Sequence, residues 1–202
     1  MSSLAHAAFS DALRLGRTLQ SAAHDVRTRP ISHQRKSDFL HASLAAYVAA
    51  WDSYVNAVVR EFLKETSNTL DSDFSARSGL LLDFVEAALN RFNTPNSDNT
   101  RRLLIQCTGY DPIGDWVWHE RGLSGLDTRN FLDQILKVRH SFAHGFALPS
   151  FDWTKTPKGK LRLNKSSLEV VEKFFIFLVD VIDQRLSSHG RNTYVNHNLW
   201  GY

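Results

Sequence analysis

The chain has 202 residues, of which 43% are hydrophobic and 22% charged, so it holds enough apolar material for one compact domain and is not a disordered polymer. A net charge of +3 permits an anionic partner without demanding one. The lone cysteine, Cys107, excludes an internal disulfide and a cysteine zinc cluster, and with no apolar run of ~18 residues to span a membrane, the reading is a protein of the reducing cytoplasm.

The pattern predicts helix almost throughout. Residues 3–26 form a first helix with Leu4, Ala8, Leu15, Leu19 and Val26 on its apolar face, and Pro30 ends or resets it. This segment has no signal-peptide core. It is amphipathic and carries Arg14 and Arg17, but Asp11 and the unbroken run into helix argue against a transit peptide. Residues 33–66 follow as one helix, with Leu40, Leu44, Tyr47, Val48, Trp51, Tyr54, Val55, Val58, Val59 and Phe62 spaced by threes and fours. At ~1.5 Å per residue it is roughly 50 Å long, the spine of a bundle. Residues 78–91 repeat the pattern with Leu81, Leu82, Val85, Ala88, Leu89 and Phe92. Asn93–Asn99 is a loop, a short helix spans about 98–107, and Gly109, Pro112 and Gly114 mark turns.

A helix over 126–144 takes its stripe from Leu126, Phe131, Ile135 and Val138, with Asp127 as N-cap and Gly145 as the C-terminal stop. Residues 149–165 form a loop, with a small hairpin near 155–165. Residues 166–187 form the last helix, capped by Ser166 or Ser167. Its apolar residues, Val170 through Leu186, cover more than one face, which predicts a contact beyond the chain such as a dimer partner. The expected architecture is all-α: one antiparallel helical bundle over 1–188 with a polar tail, 189–202.

The chemistry concentrates in Arg139-His140-Ser141-Phe142-Ala143-His144-Gly145-Phe146. Arg139 and His144 lie five apart, about 140° on a regular helix, so they converge only if the last turn frays at Gly145 or if two chains bring their motifs together. Such a pair suffices for RNA cleavage. An imidazole takes the ribose 2′-hydroxyl proton or returns one to the leaving 5′-oxygen, and a guanidinium holds the phosphate charge. DNA, lacking the 2′-hydroxyl, is spared. Plainer readings of the same residues stand beside this one. Arg139 is a surface ion-pair residue and His144 a helix C-cap, or His140 and His144, four apart, bind a metal. For the metal reading, no third ligand is placed nearby.

Other residues add weight. Trp153, Lys155, Lys158, Lys160 and Arg162 form a basic loop with an aromatic at its start, suited to holding an RNA backbone and stacking a base, or else a solvated hairpin. Trp116 and Trp118 read first as covers over the end of a core, and Arg101 and Arg102 as partners of Asp98. Asp52 reads as an ion-pair or hydrogen-bonding residue, with support of the motif as its second role.

The motif segment resembles the Rx4–6H signature of HEPN domains, in which the arginine is commonly followed by a polar residue, here His140. Ala50-Trp51-Asp52-Ser53-Tyr54 in the long helix, the Asn93–Asn99 loop and Val138–Gly145 together are similar to the RiboL-PSP-HEPN branch, over roughly residues 35–185. The resemblance implies a homodimer with a composite cleft, metal-independent endoribonuclease activity without a cofactor, catalytic Arg139 and His144 supported by His140, and a role as a toxin or phage-defence effector with a partner protein. It implies equally that inactive relatives exist as RNA-, nucleotide- or protein-binding modules. Two departures stand out. Toxins neutralised by nucleotidyltransferases often carry a tyrosine two residues after the histidine. Phe146 stands there, so adenylylation at that position is excluded. Asp52 occupies a place where the family leads one to expect glutamate.

Overall fold

A computed structural model describes residues 2–25, 27, 32–66, 72–156, 158–193 and 200, with the backbone alone for 72–78. The Val26 and Pro30 expectations lie outside the described residues. The fold is the all-α bundle expected: α1 Leu4–Ala22, α2 His33–Thr66, α3 Ser72–Arg91, α4 Ser97–Thr108, α5 Gly125–Ala143 and α6 Lys165–Thr193. No strand forms among the described residues. The hairpin near Gly159 reduces to one antiparallel bridge, Lys155 to Leu161, closed by Gly159 at φ 73°.

α2 is the spine. Trp51, Tyr54, Val55, Val58, Val59 and Phe62 are essentially inaccessible, and α2 packs on α1, α4, α5 and α6. The α1 face differs from the sequence reading. Ala5, Phe9, Leu13, Gly16 and Gln20 are buried, whereas Leu4 and Leu15 stand 78% and 60% exposed. The leucine face lies roughly a third of a turn from the buried one. The reason is Tyr47, whose ring packs against Gly16, so close that a Cβ there would sit 2.3 Å from Cε1. The Tyr47 hydroxyl donates to Gln20 Oε1 at 3.0 Å. Only the 5/9/13/16/20 stripe offers Tyr47 both the gap and the acceptor.

α6 also differs from expectation, in what covers it. Leu168, Val171, Phe174, Phe175, Leu178, Val179, Ile182 and Leu186 are buried, but their cover is internal. Trp118 stacks on Phe177 at 5.7 Å and meets Phe174 at 5.3 Å, Phe131 meets Phe174 edge-on at 4.8 Å, and Trp51 stacks on Phe175 at 5.8 Å. The several-sided apolarity is the mark of a central helix. Trp116 and Trp118 do close the end of the core, at 0% and 2% exposure. α6 runs past 188 to Thr193, and His189 is anchored, its Nε2 3.0 Å from the Thr108 carbonyl and its ring over Phe62.

α3 is longer than predicted. Val85 and Leu89 are buried, while Leu81 and Leu82 remain 40% and 43% exposed. Asp127 is not the α5 cap. Ser124 is, with Asp127 as the reciprocal member of a capping box. Asn164, rather than Ser166 or Ser167, caps α6 by accepting the Ser167 N–H at 3.0 Å. Arg101 pairs with Asp111 at 2.6 Å and Arg102 with the Asn99 amide oxygen at 2.7 Å, while Asp98 goes to Arg129.

Candidate functional site

The last turn of α5 carries the motif, and it does not fray. Val138 and Ser141 point into the core. His144 is the C-cap, and its N–H reaches the His140 carbonyl at 3.1 Å. Gly145 adopts φ 68°. Gly145 N–H then donates to the Phe142 carbonyl at 3.2 Å and Phe146 N–H to the Ser141 carbonyl at 2.7 Å. These two bonds are a Schellman closure, which needs a left-handed residue at the glycine position and folds the chain back over the helix end.

The closure sets the side chains. His144 lies against His140, ring centroids 4.2 Å apart, and Phe146 stacks on His144 at 5.8 Å. Arg139, His140, His144 and Phe146 are all exposed. Arg139 lies toward α2, close enough to Asp52 for its charge to act on that carboxyl. Burial lifts the Asp52 carboxyl above its ordinary value, and the Arg139 guanidinium pulls it back down. No ion pair or hydrogen bond within the described chain engages Arg139. Asp52 is half-buried, and its carbonyl accepts the Asn56 amide at 2.8 Å. One chain therefore brings His140, His144 and Phe146 together and holds Arg139 and Asp52 near each other. It does not join Arg139 to His144.

His41 completes the surroundings, and it goes unread in the sequence. Its ring stacks on Phe142 at 4.3 Å and 8°, its Nδ1 is buried without a partner, and burial lowers its pKa. His41 and Asp52 are eleven residues apart, within about 20° on one helix face, and that arithmetic is the signal by which it is found.

The basic loop is divided. Lys155 pairs with Asp152 at 3.5 Å. Trp153 donates its indole N–H to Gln134 at 3.1 Å and packs edge-on against Phe131. Lys158 is exposed. Lys160 and Arg162 line a cavity with residues of α2. Among the described residues no group of three or more histidine, cysteine, aspartate or glutamate side chains gathers as a metal site would need. None of the described helices is long and apolar enough to cross a membrane.

An all-α bundle built on one long spine, with an Arg-x4-His segment at an exposed helix end, defines a class of protein. The RiboL-PSP-HEPN family profile matches residues 15–188, most of the chain, and the protein belongs to that family. No curated protein and no solved structure gives a significant match.

Proposed function

We propose that the chain is a metal-independent endoribonuclease acting as a homodimer, with Arg139 and His144 as its catalytic residues. One observation carries the reading: Arg139 is exposed, with no acidic side chain bonded to it among the described residues, on the same helix end as the exposed imidazoles of His140 and His144. A guanidinium left without a carboxylate is available to a phosphate.

His144 takes the proton from the ribose 2′-hydroxyl. The 2′-oxygen attacks phosphorus, the bond to the 5′-oxygen breaks, and the products are a 2′,3′-cyclic phosphate and a 5′-hydroxyl. Arg139 holds the charge that grows on the non-bridging oxygens. The second copy's motif supplies the proton to the leaving oxygen, which accounts for an Arg139 and a His144 that do not meet within one chain. Exposed Phe142 and Phe146, at 44% and 64%, support a partner docking at this end. His140 backs the His144 ring, and Asp52 orients Arg139. Lys155, Lys158, Lys160, Arg162 and Trp153 contribute to holding RNA. No cofactor is required. A cytoplasmic location and a toxin or phage-defence role, with a neutralising or triggering partner protein, complete the proposal, with family membership as their support.

The test is incubation of purified protein with single-stranded RNA in excess EDTA. Cleavage to cyclic-phosphate ends is expected, and Arg139→Ala or His144→Ala lowers the rate about 10²–10⁴-fold with the helical signal intact. Cleavage surviving both substitutions overturns the assignment. A folded dimer that shifts RNA but leaves it whole establishes the binding-module alternative.

A further inference from the structure

A cavity of about 670 Å³ lies between the end of α1, the start of α2 and the strand of loop that leads into α6. Its wall holds His24, His33, Lys36, Lys160 and Arg162, and among the described residues no aspartate or glutamate. None of the three cations forms an ion pair with a described residue. Other cations do meet carboxylates, among them Arg17, Arg60, Arg101, Arg129 and Arg185. The His24 Nδ1 is committed to the Gln20 carbonyl at 3.1 Å, which leaves Nε2 for another partner. Two long helices begin at this cavity. α2 is capped by Ser32, which accepts the Arg35 N–H at 3.2 Å, and α6 by the wall residue Asn164. Both present their positive ends here.

The lining decides what kind of anion fits. Among the described lining residues no phenylalanine, tyrosine or tryptophan is present to stack a base, while Ser37 and Asn164 offer hydrogen bonds to a hydroxyl. Such a lining suits a sugar and a phosphate and offers no stacking surface to a base. Its floor residue Leu40 is followed on α2 by His41, which stacks on Phe142 of the Arg139–His144 segment. On a regular helix His41 and Asp52 sit roughly a quarter-turn round α2 from the cavity wall. One helix end therefore serves both the cavity and the motif.

We propose that this cavity is a subsite for the sugar–phosphate backbone of the RNA strand whose cleaved bond lies at Arg139 and His144. The proposal rests on the reading of RNA as ligand. It adds His24, His33 and Lys36 to the RNA contacts, none of which belongs to the basic loop.

The test uses the full chain carrying His144→Ala, so that RNA stays whole, and a fluorescent single-stranded RNA titrated at several salt concentrations. Lys36→Ala and Arg162→Ala each weaken binding roughly fivefold and lower the slope of log affinity against log salt by about 0.7, the two adding in the double variant. Arg35→Ala, an exposed cation of α2 outside the cavity, is the charge control and shifts affinity less than about twofold. Cavity variants that bind like the parent overturn the subsite, as does a parent that binds no RNA at any salt. Adding ATP separates the sources of phosphate. Displacement of RNA at equimolar ATP overturns the backbone assignment in favour of a free-nucleotide site, and resistance to it supports the proposal. Wild-type protein that cleaves RNA alongside neutral cavity variants removes the subsite alone. Wild-type protein that never cleaves, alongside weakened variants, removes the nuclease reading alone.

Discussion

Two helix ends in this molecule handle charge in opposite ways. At the start of α1 every polar group is answered. Ser3 N–H donates to Asp183 at 3.0 Å, and Ser3 Oγ also donates to that carboxylate. Glu61 accepts the Leu4 and Ala5 N–H groups at 2.9 Å each, and Ser3 Oγ accepts the His6 N–H at 2.9 Å. Carboxylates from α2 and α6 thus sit on the positive end of α1, where the free amides and the helix dipole favour them. At the end of α5 the backbone is equally well closed, but the side chains are not. Arg139, His140 and His144 project without a carboxylate bonded to any of them among the described residues. The first end is built to hold the bundle together, and the second is held by the bundle and left open. That difference separates structural charge from working charge more surely than residue type does.

The sharpest way to break the comparison is to truncate at both ends and measure stability and cleavage together. His144→Ala is expected to cost cleavage about 10²–10⁴-fold, equivalent to roughly 3–5 kcal/mol of barrier, and to leave unfolding within about 0.5 kcal/mol. Asp183→Ala is expected to do the reverse. Asp183 is 2% exposed. Its loss strands the Ser3 amide and hydroxyl, for about 3 kcal/mol of stability, or a fall of roughly 8 °C in melting temperature. Equal damage to stability from the two substitutions refutes the division.

Gly16→Ala sharpens the comparison inside the core. Replacing a helical glycine ordinarily gains about 1 kcal/mol. Here the new methyl meets the Tyr47 ring, which is fully buried and held by its hydroxyl between Gln20 and Glu172 at 3.0 Å. The ring has nowhere to go, so overpacking of roughly 2–3 kcal/mol outweighs the helix gain, and a net loss of about 1–2 kcal/mol in urea unfolding is expected. A more stable variant means Tyr47 is free to shift.

The fold was legible where one face repeats without competition. α2 ends where the spacing of its apolar residues ends, and Val138 and Ile135 bury as periodicity demands. On α1 the face of Leu4, Leu15 and Leu19 is the more apolar in sequence but not the one that buries. Burial there is decided by a glycine and a glutamine that fit Tyr47, a choice made by tertiary contact and invisible to a count of apolar residues. The Arg139–His144 segment stood out by residue type, and the Gly145 stop by its chemistry. The cavity wall did not stand out. His24, His33 and Lys36 lie over a hundred residues from Lys160 and Arg162, and no local pattern connects them.

The smallest expected effect concerns His41, which lies between the two regimes, half-buried against the motif yet titratable. Burial lowers its pKa from the ordinary 6.5, with Asp38 opposing the shift. The unfolded chain therefore takes up the proton first as pH falls. Between 6.5 and the lower folded value the unfolded state binds more protons than the native one, so stability falls with falling pH across that window and levels off beneath it. His41→Phe keeps a ring for Phe142 to stack on and removes the titration. Urea unfolding at about pH 7.5 and about pH 5.5 is then expected to differ less for the variant than for the parent, the remaining histidines contributing alike to both. If the variant loses as much stability on acidification as the parent, His41 is solvated in solution, and the stacked contact through which α2 steadies the Arg139–His144 segment is not made.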